Sequence, residues 1–455
     1  DQCGIRSILT SRLFLAKAKM AERPGMVFVE DLLGGISKLE KLAALCVSFL
    51  PAPVLCRIVP RGHCADLATV IFSSGSSGMP KGIKLSHQNV MSNIAASGIM
   101  IPLGPPDRIA GVLPFFHSFG FTFTLWFPMV NGIGGVYQMN PLDAKGVGTL
   151  VEKWSATVLL ATPTFLANYT KVVTPEQFRS LHVVLAGAEK LREAVVAAFA
   201  TKFGVTPREG YGATEMAPVI AVSVEDVPLE AHRPQERGTR PSCRAGANPL
   251  CASSSKAHYQ KGWMPNSVGR PLPGVAVRVV DPETGTPLPV GQEGLLLVKG
   301  ANQMLGYWAN AAKTKEVISN GWYITGDVAR VDEEGFIYLT GRLSRFSKIA
   351  GEMVPHGRVE DAIKACLSED ANVCVVAIAD EERGEKLIAL YEGSALEPAE
   401  LVTALAASDL PKLWLPKRDA LLRVEALPVL GTGKMDLRRA KEMAEERSKP
   451  LQLQN

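Results

Sequence analysis

Between residues 66 and 220 the chain alternates short apolar or extended runs with helix-like stretches. "RIAGVLP", "ATVLLATP", "SLHVVLAG" and "TPREGYG" each run into Gly, Pro or Ser. "MSNIAASGIM", "AKGVGTLVEKW" and "LREAVVAAFATKFG" carry apolar residues at helical spacing between them. Such alternation restricts the fold to the α/β class, a mostly parallel sheet covered by helices. Ligands of such sheets collect beyond the carboxyl ends of the strands, where the Gly-rich breaks fall.

One break stands out. "SSGSSGMPKG", Ser73 to Gly82, follows the strand-like "DLATVIFS" and precedes a stretch that reads as a helix capped by Ser86. Glycines let backbone N–H groups approach a ligand, serines add hydroxyls and Lys81 adds a positive charge, a set suited to a phosphate chain. The plain alternative is a flexible Gly/Ser linker. The loop is not a Walker loop, because Lys81 is followed by Gly82 rather than Ser or Thr, and it lacks the dinucleotide G-x-G-x-x-G. It therefore suggests a nucleotide without suggesting a kinase or a dehydrogenase.

The 455 residues, 47% hydrophobic, suffice for two or three domains. A net charge of +4 with no long basic run argues against nucleic acid as the main partner. Cysteines 3, 46, 56, 64, 243, 251, 366 and 374 form no C-x-x-C pair and read as reduced thiols of a cytoplasmic protein. The most apolar stretch, "FGFTFTLWFPMV", is too short to span a bilayer. The chain begins at Asp1 with two strand-like runs around a helix-like "RLFLAKAKM", which suggests missing upstream sequence. Residues 223–264 are polar, Pro-rich and aperiodic, and read as a mobile insertion. Residues 267–339 are β-rich, and the remainder reads as a small α+β unit. The expected division is a large domain over 1–343 and a C-terminal domain over 344–455.

Five stretches in order, "IFSSGSSGMPKG", "YGATE", "YITGDVARVDEEGFIYLTGR", "GEMV" and "LGTGKMD", resemble the adenylate-forming superfamily of acyl-CoA synthetases, luciferases and adenylation domains. Within it, "GFTFTLWFP", "NPLDAK", "GRLSRFSKIAGEMVPH" and "LPVLGTGKMD" look most like the synthetase portion of bifunctional 2-acylglycerophosphoethanolamine acyltransferase / acyl-acyl-carrier-protein synthetases. The resemblance implies a large domain of helix-covered sheets with a β-rich subdomain, followed by a mobile C-terminal domain. It also implies ATP and Mg²⁺ as cofactors and two steps: a carboxylate displaces pyrophosphate to form acyl-AMP, and a thiol then displaces AMP.

By the same resemblance, Ser73, Ser74, Gly75, Ser76, Ser77, Gly78 and Lys81 cradle the β- and γ-phosphates. Gly187, Ala188 and Glu189 line the adenine; Tyr211 and Gly212 open the motif in which Thr214 meets the α-phosphate and Glu215 holds Mg²⁺. Asp327, helped by Arg342, binds the ribose, and Lys434 bridges the acyl carboxylate and the α-phosphate. His117 lies near the acyl carboxylate, Ser344 is the hinge and Gly351 lines the thiol path. Taken singly, Glu215, Asp327, Lys434 and His117 each have an ordinary structural reading, and only their joint occurrence points to catalysis.

Seven Phe or Trp residues between Pro114 and Pro128 suit a fatty acyl chain, and equally a buried helix. The expected acceptor is acyl carrier protein, whose acidity Lys412, Lys417 and Arg418 would complement; coenzyme A is the alternative, and a catalytically inactive nucleotide-binding fragment is a second one. Peripheral association with the inner face of the cell membrane stays open. "HGRVED", His356 to Asp361, spells the H-x-x-x-x-D of glycerolipid acyltransferases, but falls inside the C-terminal unit and reads as chance.

Overall fold

The computed structural model describes residues 3–58, 62–73, 80–228, 259–349, 352–367, 371–380, 384–393, 396–429 and 435–448. Contacts divide the chain into two units, Asp1–Ala68 and Thr69–Asn455. In the first, strand Ile8–Thr10 runs parallel to Met26–Phe28, with helix Arg12–Ala18 between them. This is the strand–helix–strand order read from the sequence. Ser11 caps that helix by accepting from the Phe14 N–H at 3.0 Å. Three further helices follow, Val29–Gly35, Lys38–Ser48 and Ala52–Ile58.

A seven-stranded sheet dominates the second unit. Its order is Arg270–Pro271, Val219–Val222, Arg208–Gly212, Val183–Ala186, Val158–Ala161, Arg108–Gly111, Gly134–Tyr137. From Arg208–Gly212 to Gly134–Tyr137 the strands are parallel, and the two remaining pairings are antiparallel. Val158–Ala161 is buried at all four positions, the mark of a strand covered on both faces. Helix Ala144–Trp154 sets Val147 and Val151, one turn apart, into the core.

The Gly/Ser loop has a different setting from the one expected. The sequence placed a helix directly after it; the structure inserts strand Lys81–Ser86, adjacent to Leu67–Ser73 in one small sheet. In "KGIKLS" Ile83 and Leu85 alternate with polar residues and are fully buried, a period of two that the helix reading overlooked. Ser86 does cap the next helix, His87–Met100, in a reciprocal bond with Asn89. Strand Gly306–Tyr307 joins this sheet antiparallel to Lys81–Ser86.

The β-rich segment forms a five-stranded antiparallel sheet built on Val275–Val280, Gly294–Gly300, Trp322–Val331 and Ile337–Arg342. Within residues 223–264, Val227–Pro228 pairs with Tyr259–Gln260. Residues 229–258, between those two strands, lie outside the described residues.

After Arg345 the chain builds separate cores. Strand Val373–Asp380 puts Val373, Val375 and Ala377 into one cluster and Cys374, Val376 and Ile378 into another, so helices cover both faces of its sheet. The first cluster takes Val359 and Ile363 from helix His356–Leu367; the second takes Ala440 and Ala444 from helix Leu437–Ser448. Among the described residues no helix is long and apolar enough to cross a membrane. The described cysteines 3, 46, 64, 366 and 374 are free thiols.

Candidate active site

Asp327 and Arg342 are fifteen residues apart in sequence and directly opposite each other in the ladder of Trp322–Val331 with Ile337–Arg342. Facing side chains on neighbouring strands interact, and here the guanidinium Nε donates to Asp327 Oδ1 at 2.7 Å. Asp327 Oδ2 accepts from the Tyr211 hydroxyl at 2.5 Å. Tyr211 belongs to the seven-stranded sheet, so this bond ties the two sheets together. Asp327 is 5% exposed, whereas most of the Arg342 side chain faces solvent. Burial, and then the carboxylate beside it, hold the Tyr211 phenol well above its usual range, so it stays a donor. Each carboxylate oxygen has a second lone pair for a ligand hydroxyl.

Beyond Tyr211 the chain turns sharply at residues 213–218 into strand Val219–Val222. The turn is tight enough that a Cβ on Gly212 would lie 2.2 Å from the Pro218 carbonyl oxygen. Two buried amides brace it: Asn93 Nδ2 donates to Val219 O at 2.7 Å, and Asn302 Nδ2 to Met216 O at 2.7 Å. Thr214 Oγ1 shares a 3.1 Å hydrogen bond with Ser118 Oγ. Glu215 is held at both ends, its carbonyl accepting from Met304 N at 2.7 Å and its Oε1 from the Tyr307 hydroxyl at 2.8 Å.

Tyr307 reaches further. Its backbone lies opposite Ile83, and the Lys81 ammonium stands 5.8 Å from its ring centroid. The strand leaving the Gly/Ser loop and the carboxylate of Glu215 thus meet on one buried tyrosine. Tyr307 was missed in the sequence because nothing in "GYW" marks a tyrosine as second partner to a distant carboxylate; the same holds for Ser118, Asn93 and Asn302.

Gly187–Glu189 follows strand Val183–Ala186, next to Arg208–Gly212. A Cβ on Gly187 would lie 3.1 Å from the Phe119 ring, so the loop and that aromatic share one surface. Ala188 adopts φ +71°, and Glu189 Oε2 accepts from Thr164 Oγ1 at 2.7 Å. Glu209 Oε1 accepts from Leu191 N at 3.2 Å; burial pushes this carboxyl up to about 7. His117 is exposed, with Nδ1 3.3 Å from Phe119 N, one residue from Ser118. The structure therefore bonds Tyr211, Asp327 and Arg342 together and links Lys81 to Glu215 through Tyr307, with Thr214 between Tyr211 and Glu215 in the chain and Gly187 and Gly212 at neighbouring strand ends. Ser73 ends the strand entering the Gly/Ser loop, and Ser344 is exposed just past Arg342. Ser74, Gly75, Ser76, Ser77, Gly78, Gly351 and Lys434 lie outside the described residues.

Among the described residues no group of three or more His, Cys, Asp or Glu could enclose a metal ion. A lone carboxylate such as Glu215, with oxygens from a bound phosphate chain, fits Mg²⁺, which keeps much of its water shell and seldom uses an all-protein cage. In the C-terminal unit, His356 Nε2 lies 2.6 Å from Ser347 Oγ, both side chains buried, while Asp361 faces solvent.

Residues 57–308, more than half of the chain, match the AMP-binding enzyme family. The chain belongs to that family. The probable 4-coumarate–CoA ligase 3 of Dictyostelium discoideum is 27% identical over 382 residues, 81% of this chain and 62% of the relative. A long-chain-fatty-acid–CoA ligase of Escherichia coli O6:H1 is 28% identical over 360 residues, 76% of this chain and 58% of the relative. The chain thus spans about 60% of the length of these curated relatives. ATP-bound MatB from Rhodopseudomonas palustris superposes with TM-score 0.70 at 26% identity, covering 86% of this chain and 70% of MatB. The AMP complex of O-succinylbenzoate coenzyme A synthetase from Bacillus subtilis gives 0.72 at 19% identity over 97% of this chain and 79% of that one, a likeness of fold.

Proposed function

We propose that this AMP-binding enzyme uses ATP to activate a fatty acid as acyl-AMP and then passes the acyl group to a thiol. The observation that carries the reading is the Tyr211–Asp327–Arg342 contact, which ties a buried carboxylate to the strand end that leads into Thr214 and Glu215. In this reading Asp327 accepts from the ribose hydroxyls, Thr214 donates to the α-phosphate, Gly187–Glu189 flanks the adenine, and Ser73–Gly78 with Lys81 cradles the β- and γ-phosphates. Mg²⁺ on Glu215 and the phosphates would offset the negative charge that repels an incoming carboxylate.

The aromatic stretch supports an apolar acid. Of its residues Phe123 and Phe127 are buried and Phe119 and Phe121 pack against the same core, while Phe115, Phe116 and Trp126 are exposed. An all-round buried helix is thereby excluded, and the inward face remains for an acyl chain. His117 would lie beside the acid's carboxylate, and Ser344 would be the hinge that brings Lys434 to the α-phosphate and Gly351 to the thiol. The names of relatives favour coenzyme A as that thiol; the stretch from Gly341 to His356 favours acyl carrier protein.

Lys434→Ala should abolish fatty-acid-dependent ATP–pyrophosphate exchange, and unchanged exchange removes the lysine from the mechanism. Mass analysis after incubation with ATP, fatty acid and either coenzyme A or holo-carrier protein decides the acceptor; no thioester with either ends the proposal. Tyr307→Phe deletes one hydrogen bond to a charged group, worth roughly 1.5–3 kcal/mol. The expected result is about a tenfold or greater drop in exchange, with half-saturation in Mg²⁺ moved upward and the KM for fatty acid unchanged. A Mg²⁺ titration identical to the parent's would show that Tyr307 does not orient Glu215.

A further inference from the structure

The stretch Gly120–Trp126 is a π-helix, a wider coil found mostly at functional sites. Two hydroxyls at its start fasten it to the turn at residues 213–218. Ser118 Oγ lies 3.1 Å from Thr214 Oγ1, and four residues on, Thr122 Oγ1 donates to Ala217 O at 3.0 Å. Both side chains are sealed from solvent, Ser118 at 1% exposure and Thr122 at 0%. Thr214 itself is half-buried.

The two bonds differ in kind. A carbonyl oxygen can only accept, so Thr122 is the donor in its pair. Between two hydroxyls either could donate, and here burial decides. Among the described residues the Ser118 hydroxyl has a single hydrogen-bond partner, Thr214 Oγ1. At 1% exposure no solvent reaches it either. Its proton therefore goes to Thr214, because a buried donor without an acceptor costs more than a hydrogen bond is worth net. A hydroxyl that accepts along one line cannot place its own proton on that line. The Thr214 proton is thus turned away from Ser118.

We infer that Ser118 is a positioning residue: by donating to Thr214 Oγ1 it leaves the Thr214 proton free for an anionic oxygen of the ligand, here the α-phosphate. The inference rests on the proposed role of Thr214 and names the group that sets its polarity. Thr122 holds the same turn through a backbone carbonyl and fixes where Thr214 stands, whereas Ser118 fixes which way its hydroxyl faces.

The test is a cycle of four proteins, parent, Ser118→Ala, Thr214→Val and the double variant. It is read as kcat/KM for ATP in fatty-acid-dependent pyrophosphate exchange and as the thermal upshift given by ATP alone. Ser118→Ala should lower kcat/KM for ATP about tenfold and reduce the upshift, with the KM for fatty acid unchanged, because a hydroxyl no longer aimed at a charged oxygen forfeits much of that bond. In the Thr214→Val background the same substitution should change either readout by about twofold or less, since the group it orients is gone. An equal loss in both backgrounds shows that Ser118 serves the fold alone and overturns the inference. So does an unchanged kcat/KM and upshift in a folded Ser118→Ala protein. In both cases the proposed function stands. A parent that shows the cycle in the ATP upshift but no exchange with any fatty acid does the reverse. Neither upshift nor exchange in the parent overturns both.

Discussion

Asp327→Ala is expected to lower ATP affinity by about a hundredfold, because hydrogen bonds from ribose hydroxyls to an ionised acceptor are each worth roughly 1.5–3 kcal/mol and two are lost together. Asp327 is 5% exposed, so water cannot take its place easily. The substitution also takes away Asp327 Oδ2, the acceptor of the buried Tyr211 hydroxyl. A buried donor left without a partner costs roughly 1–3 kcal/mol, so the melting temperature should fall as well. The two effects separate experimentally. ATP-dependent thermal upshift reads affinity, and the melting temperature without nucleotide reads the loss of the Tyr211 and Arg342 contacts. A folded Asp327→Ala protein that binds ATP as the parent does would remove the carboxylate from the nucleotide site and, with it, the main support for the proposed function.

The second large effect is a pH dependence in the C-terminal unit. His356 is 5% exposed and bonded to Ser347; burial first, and then the nearby Arg345 charge, push its imidazole down to about 4. An unfolded histidine takes up its proton near 6.5, so below that pH the unfolded chain binds a proton that the folded chain refuses. The histidine's contribution is therefore complete above pH 6.5 and is lost as pH falls toward 4, by about 3 kcal/mol in all. Glu209 works in the opposite sense. Its folded carboxyl is raised to about 7, so its penalty is present at neutral pH and relieved as pH falls. The whole-chain profile mixes the two, and a difference measurement isolates the histidine. The stability gap between parent and His356→Gln, from denaturant unfolding at pH 7, 6, 5 and 4, should shrink by about 3 kcal/mol across that range. A gap that stays constant would show that His356 is protonated in the folded protein.

The same histidine shows what a motif does and does not carry. "HGRVED" has the spacing of an acyltransferase pair, but helix His356–Leu367 buries the histidine against Ser347 and turns Asp361 to solvent. Spacing along a chain fixes which residues share a helix face only when both side chains reach the same surface. The Gly/Ser loop erred in the other direction. Its composition was readable, yet its setting was not, because "KGIKLS" is too short for its alternation to outweigh the helical stretch that follows.

Tyr307 had no sequence signal, because its partner, Glu215, lies on another element. Asp327 and Arg342 were picked out as separate residues of a motif, and their contact follows from strand register alone.

By itself the sequence determined the α/β class and the residue types gathered at the nucleotide motifs. Those properties depend on local periodicity and composition, which a linear chain carries in full. Only the tertiary structure decided that Tyr211 reaches across to Asp327 and that Tyr307 connects Lys81 with Glu215. Such contacts depend on which strands lie side by side and in what register, and that outcome is set by the packing of the whole core.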